Sequence, residues 1–249
     1  VEKMNKNIVV SNSKGGAGKS TVSEYLALIS SRAGKKTLLI DAGYQRHSSN
    51  AFLSDEQIKH NLLDGLRNKR LMPKCVYNIS ENLDLIPATI NLNNFSDEFG
   101  NIQEYQKELI FKTVLSPTLA HYSNCIFDTE SSLGVLTRNA LIMANVLIIP
   151  IVDKYSVDEA LKLLETLETL KESYGDFMNL EKIYVLPVMK RFLSMDYIKI
   201  LNIARREIRE AFLLPVKYHS QIFLGDNKTL FDIRGGVYKD YKKSLEDVI

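Results

Sequence analysis

The chain has only two cysteines, Cys75 and Cys125, far apart and outside any CxxC or Cys/His spacing. That excludes a disulfide framework or a cysteine-rich metal site and reads as two reduced, partly buried thiols, the usage of a cytoplasmic protein. An iron–sulfur role fails on the same residues, because Cys125 falls inside an apolar run and Cys75 lacks a matching loop context. No apolar run approaches the roughly 20 residues that span a bilayer. The start, Val1-Glu2-Lys3-Met4-Asn5-Lys6, lacks the apolar core of a signal peptide. A soluble protein without a membrane partner is expected. Repeats, low-complexity tracts and proline-rich linkers are missing, and the six prolines are scattered, so one compact unit is the simplest organisation. The formal charge of +2 carries no strong bias, and an anionic partner would have to be met by local clusters.

What is present is an ordinary globular composition, 249 residues with 45% hydrophobic and 25% charged. Short apolar runs recur at Ile8–Val10, Thr37–Ile40, Leu83–Ile86, Cys125–Phe127, Val146–Val152 and Ile183–Val188. Helical patterns separate most of them, the clearest being Val22–Arg32, Ser156–Glu172 and Met195–Phe212. In the second, Val157, Ala160, Leu161, Leu163, Leu164, Leu167 and Leu170 repeat at the three-and-four spacing of a packed face and are assigned to the core. Near-continuous apolar strands alternating with helices predict an α/β fold, a mostly parallel central sheet flanked by helices on both faces. The least regular stretch runs from Tyr44 to about Leu71, with a helix around Leu62–Leu66. It begins beyond the carboxyl end of a strand, where ligand-contacting loops of such sheets lie, and is a candidate switch region.

The strongest motif is Ser13-Lys14-Gly15-Gly16-Ala17-Gly18-Lys19-Ser20-Thr21, set between the first apolar run and the first helical pattern. It reads as a phosphate-binding loop. Glycines allow close backbone approach, N–H groups and the following helix N-terminus supply positive potential, Lys19 neutralises β/γ-phosphate oxygens, and the Ser20 hydroxyl is placed to ligate Mg²⁺. The expected ligands are ATP and Mg²⁺, and the fold class becomes a single P-loop NTPase domain over residues 1–249. Ser13 stands where the usual pattern has glycine, and Lys14 opens the glycine run.

With those two features the loop resembles that of the ParA/MinD family of deviant Walker A ATPases. The resemblance implies that Lys14 reaches across a nucleotide-sandwich homodimer to the partner's ATP, so that dimerisation gates chemistry. Lys14 and Lys19 would thus be catalytic, and Lys14, Gly15, Gly16, Ala17, Gly18, Lys19, Ser20 and Thr21 would bind ATP. In Asp41-Ala42-Gly43-Tyr44-Gln45, Asp41 and Gln45 match the family's DxDPQ-like element. Asp41 is expected to act in catalysis and at the metal, or to cap the loop after its strand, two roles that are compatible. Gly43 and Tyr44 depart from the pattern, and Gly43 replaces the aspartate credited with positioning the attacking water, a role worth roughly 10²-fold or more. Slow turnover follows. Asp128 and Thr129 resemble the DTPP element, with Asp128 orienting the metal together with Ser20 and Asp41. Glu130 either takes over from the missing aspartate or is a solvated loop residue, and the second reading is preferred here.

Further along, Tyr184 to Arg191 occupies the region that borders adenine in the family, which offers Pro187, Met189 and Lys190 as base contacts, although a strand end with a basic turn accounts for them nearly as well. Relatives bind DNA without sequence preference through basic residues, and Arg205, Arg206 and Arg209, with Lys190 and Arg191, are the candidates. A solvated face offset by Glu207 and Glu210 is the alternative. The loop starts at residue 13, which leaves no room before it for the helix-turn-helix of larger relatives, so sequence-specific DNA binding by an added domain is not expected. MinD-like relatives carry an amphipathic membrane tail. Here Tyr238 to Ile249 has an opposite face of mixed charge and reads as a terminal helix packed on the core. The function implied is a ParA-like partition ATPase acting with nonspecific DNA and a ParB-type adaptor in plasmid or chromosome segregation. The alternative is a weakly hydrolysing, nucleotide-gated scaffold that positions a protein cargo.

Overall fold

The computed structural model describes residues 5–188, 195–208, 212–213, 236–246 and 248–249. Strands β1 (Lys6–Val10), β2 (Thr37–Ala42), β3 (Tyr77–Ser80), β4 (Leu83–Ile86), β5 (Asn124–Thr129), β6 (Val146–Ile151), β7 (Lys182–Pro187) and β8 (Phe212–Leu213) form one sheet. Their order is β3-β4-β2-β5-β1-β6-β7-β8. All neighbours are parallel except the β3–β4 hairpin. The helices are α1 (Lys19–Arg32), α2 (His47–Phe52), α3 (Leu62–Arg67), the single turns α4 (Phe95–Glu98) and α5 (Glu104–Lys107), α6 (Ile110–Leu119), α7 (Val135–Met143), α8 (Lys154–Tyr174), α9 (Met195–Glu207) and α10 (Gly236–Leu245). Among the described residues no helix is long and apolar enough to cross a membrane.

Period-two side-chain alternation sorts each central strand between two cores. Val9, Leu38, Ile40 and Phe127 pack on the side of α3, α6, α7 and α8. Ile8, Val10, Leu39 and Ile126 face α1 and α10. Because both faces are covered, the strands read in sequence as unbroken apolar runs. The terminal helix docks as expected: Tyr241 and Leu245 are buried, and the Tyr241 ring stacks on Tyr25 of α1 at 4.6 Å.

Three boundaries differ from the sequence reading. The helix placed at Met195–Phe212 ends at Glu207, and Phe212 opens β8, where it pairs with Tyr184. The helical spacing of Ile200, Ala204 and Ile208, all buried, simply runs into the apolar pair of the next strand. The stretch after Tyr44 is more regular than expected, with α2 and α3 in it, the latter closed by an Asn61–Asp64 capping box. Strand β3 was not foreseen: it is a half-exposed edge of four residues with Asn78 and Ser80 in it, a weak pattern. Both cysteines are free and buried, and burial pushes the thiols up to about 11 at Cys75 and about 12 at Cys125.

Candidate functional site

The loops after β1, β2 and β5 open on a cleft of about 500 Å³. Its floor is the turn from Val10 to Lys19. Gly16 and Gly18 take φ of +73° and +86°, left-handed conformations that side chains resist, so glycine is required at both. Asn12, fully buried, fastens the turn to its surroundings. Its amide donates to the carbonyls of Pro150 (2.8 Å) and Ser156 (2.9 Å), and its Oδ1 accepts from the Lys14 N–H at 2.9 Å. Gly18 then starts α1 with no side-chain cap, whereas α8 carries an Asp153–Ser156 capping box. An uncapped first turn leaves N–H groups and the helix dipole for an anion.

Lys19 is the buried cation of the cleft. Its Nζ donates to Ser131 Oγ at 2.6 Å and to the Lys14 carbonyl at 3.3 Å. Burial lowers its pKa, and the charges of Asp128 and Glu130 oppose that shift. Opposite stand the carboxylates. Asp41, 1% exposed, accepts from the N–H and hydroxyl of Ser49 at 2.8 and 2.7 Å and from the Gly43 N–H at 3.1 Å. Desolvation, then the charge of Asp128, raises Asp41 to about 7 against those hydrogen bonds. Asp128 Oδ2 accepts from the Ser48 hydroxyl at 2.7 Å, while its buried Oδ1 has no hydrogen-bond partner among the described residues. Burial raises Asp128 as well, opposed by the nearby hydroxyls of Ser48 and Ser20 and the charge of Lys19.

An orphaned carboxylate oxygen beside the Ser20 hydroxyl fits a hydrated divalent cation, the hard-oxygen donor set that Mg²⁺ prefers. Ser20 and Asp128 would hold it, with Asp41 nearby; bound there it would neutralise phosphate charge. Among the described residues no three His, Cys, Asp or Glu side chains converge to ligate a metal directly, so water and ligand oxygens would complete the shell.

The sequence-predicted residues Gly16, Gly18, Lys19, Ser20, Thr21, Asp41 and Asp128 line this cleft. Gly15 and the buried Ala17 belong to the same turn. Lys14 is partly exposed and its Nζ lies 3.4 Å from Asp153 Oδ2. Burial of Asp153 is outweighed by the Ser156 N–H and hydroxyl and by Lys14, which hold that carboxyl below its usual range. Pro187 is buried in the ladder opposite Ile151 and does not line the cleft. Arg205 and Arg206 are exposed on α9, and Arg206 pairs with Glu207 at 2.7 Å. Met189, Lys190, Arg191 and Arg209 lie outside the described residues. Glu130 is half-buried and lines the cleft, where burial raises its carboxyl and it accepts from the Ser132 hydroxyl of its own loop. A Cβ on Gly43 would meet Asp41 Oδ1 at 3.6 Å and the Glu130 backbone at 3.8 Å, ordinary contacts, so packing does not forbid a side chain there.

Four side chains that hold the loop or contact the cleft carboxylates escaped the sequence reading: Asn12, Glu24, Ser48 and Ser49. Glu24, 8% exposed on α1, lines the cleft, and burial followed by the charge of Asp128 raises its carboxyl well above the usual range. Its position one turn after Ser20 on the phosphate-loop helix was the available signal.

A family model described as an AAA domain matches residues 5–180. The chain is 36% identical over 171 residues to the chromosome-partitioning ATPase Soj of Treponema pallidum, covering 68% of this chain and 64% of that protein, less than two thirds of its length. It is 30% identical over 194 residues to the sporulation initiation inhibitor protein Soj of Bacillus subtilis, covering 72% and 71%. Among solved structures, a putative plasmid partition protein from Borrelia burgdorferi bound to AMPPNP superposes with a TM-score of 0.78 at 26% identity, covering 97% of each chain. With the deviant loop, the uncapped α1 and these likenesses together, the chain belongs to the ParA/MinD family of P-loop ATPases.

Proposed function

We propose that this protein is a partition-type ATPase of the ParA kind, working as one unit over residues 1–249 in the cytoplasm. The observation that carries the reading is the uncapped start of α1 facing a cleft that holds Lys19, Ser20 and the half-satisfied Asp128. ATP binds with its β/γ-phosphates on the loop Gly15–Thr21 and on Lys19, and Mg²⁺ sits by Ser20 and Asp128, with Asp41 close. Two ATP-loaded chains close into a sandwich dimer in which each Lys14 serves the other chain's nucleotide. The dimer adheres to nonspecific DNA through Arg205, Arg206 and Arg209 with Lys190 and Arg191, and slow hydrolysis, stimulated by a ParB-type adaptor, resets it. Pro187, Met189 and Lys190 are the proposed adenine border.

The test is fluorescence anisotropy of a random-sequence duplex titrated with protein in Mg²⁺ plus ATP and, separately, plus ADP at one fixed salt concentration. Tighter binding with ATP alone supports the reading. No binding in either state supports a second one, a nucleotide-gated scaffold that positions a protein cargo. Gly43 favours that second reading, because no carboxylate stands at that position to orient water. Single-turnover hydrolysis separates the two.

A further inference from the structure

The cleft contains more negative charge than its protein groups balance. Glu24, Asp41 and Asp128 are each more than nine-tenths buried and all line it. Two basic side chains, Lys19 and Arg46, also line it, but the Lys19 Nζ is committed to Ser131 and the Lys14 carbonyl and the Arg46 guanidinium pairs with Asp55 outside the cleft lining. Ser48 links two of the carboxylates: its Oγ lies 2.7 Å from Asp128 Oδ2 and 3.3 Å from Glu24 Oε1. A hydroxyl has one proton to donate, and the shorter contact claims it, which leaves Glu24 weakly satisfied. The other oxygen of Asp128 has no partner among the described residues. A third buried carboxylate in such surroundings is costly unless a cation joins it, and the orphaned Asp128 oxygen marks where that cation would be drawn.

We propose that Glu24 is a positioning residue for the divalent cation: acting through Ser48 and Asp128, it supplies the third negative charge that draws Mg²⁺ into the cleft and makes the site select metal-bound over metal-free nucleotide. Direct ligation is not required, since the three carboxylates do not converge on one point. With metal bound, the Glu24 carboxylate stabilises the cation, and the Ser48 contact ties it to Asp128. The idea rests on the nucleotide reading of the cleft.

The experiment measures binding of a fluorescent ATP analogue in Mg²⁺ and in EDTA, together with the Mg²⁺ concentration that half-saturates binding at fixed nucleotide. Glu24→Gln, which keeps volume and removes charge, is expected to raise half-saturating Mg²⁺ about tenfold, the low end of losses for outer-shell partners. In EDTA its nucleotide affinity is expected to equal that of the unmodified protein. Glu24→Asp, which keeps the charge, should recover most of the Mg²⁺ response. A folded Glu24→Gln protein with unchanged Mg²⁺ dependence, or one that loses affinity equally in Mg²⁺ and EDTA, overturns the proposal. If Glu24→Gln does not fold, Ser48→Ala carries the test, with about a threefold shift expected from loss of one bridging hydroxyl and no shift overturning the link. Asp128→Asn separates a Glu24 effect from the metal–nucleotide cleft itself. Should it too leave Mg²⁺ dependence untouched, the nucleotide reading of the cleft fails; a shift in Asp128→Asn without one in Glu24→Gln removes Glu24 alone.

Discussion

The two ends of α1 are both buried and both polar, yet they solve burial in opposite ways. At its far end, Ser30, Thr37 and Asn124 form a neutral network. Ser30 Oγ and Thr37 Oγ1 lie 2.6 Å apart, the Asn124 amide donates to Ser30 Oγ at 2.8 Å, and the Thr37 hydroxyl lies 2.8 Å from the Lys35 carbonyl. Every group there has a partner and none carries charge. At the near end, Lys19, Glu24, Asp41 and Asp128 are ionisable, mutually unfavourable in part, and include an orphaned oxygen. A closed neutral network holds β2, β5 and α1 together, while an open ionic one waits for a ligand. The lesson is that polarity alone does not mark a site; unbalanced polarity does.

Removing the cation from the open end should have the largest effect of any single change. Lys19→Ala is expected to lower nucleotide affinity roughly a hundredfold or more, since a buried charged donor and its phosphate hydrogen bonds go together. A fluorescent-nucleotide titration reads it, and normal affinity would refute the phosphate-loop assignment. The matching cut at the closed end is Thr37→Val. It should destabilise the fold by about 1–2 kcal/mol, because it leaves the Lys35 carbonyl and Ser30 short of a partner. Denaturant midpoints measure that cost, and nucleotide affinity should stay put. If affinity fell as well, the two ends would not be independent.

A subtler effect separates the ends by pH. Asp41, raised to about 7, holds a proton in the folded protein at pH values where the unfolded chain, near 3.8, has lost it. Glu24 and Asp128 shift in the same direction. Folding therefore takes up protons between those values, and metal-free stability falls as pH rises through that window. Thermal unfolding in EDTA from pH 4 to 8 should show the decline, and Asp41→Asn should flatten it. An Asp41→Asn profile with the same slope would mean that other groups set the dependence.

The closed and open ends were not equally legible in the sequence. Strands β1, β2, β4, β5, β6 and β7 announce themselves as short apolar runs, because two covered faces demand apolar residues at every position. The loop is legible for a different reason: left-handed turns at Gly16 and Gly18 and a following Lys-Ser leave few alternatives. Asn12 and Ser48 were illegible, since each is polar, belongs to no spacing rule and takes its role from partners far along the chain; Glu24 offered only its place one turn after Ser20. Ser48, for example, meets Asp128 80 residues later. Sequence periodicity reports which face of an element is apolar, and it is silent on a carboxylate turned inward from a helix of mixed polarity. Glu130 was legible as a carboxylate near the phosphate, from its place after Asp128-Thr129, but its partial burial was not.

Lys14 offers the smallest effect on binding and the sharpest test of how the open end is completed. It differs from Lys19 in every local respect, being partly exposed, at the rim, and held by Asp153 at 3.4 Å, not by groups within the cleft. An exposed pair of this kind is worth little, on the order of 0.2–1 kcal/mol, and is screened by salt, so the lysine can leave it at small cost when a stronger anion arrives. Lys14→Ala should therefore change the nucleotide affinity of the single chain by less than about twofold. Its loss should appear only where two chains meet, as weaker ATP-dependent dimerisation in sedimentation velocity and lower turnover per dimer. Asp153→Asn, which frees the same lysine, should move dimerisation the other way or leave it unchanged. A Lys14→Ala protein with full dimerisation and full turnover would confine that lysine to its own chain and leave the unbalanced charge of the cleft to be resolved by nucleotide and metal alone.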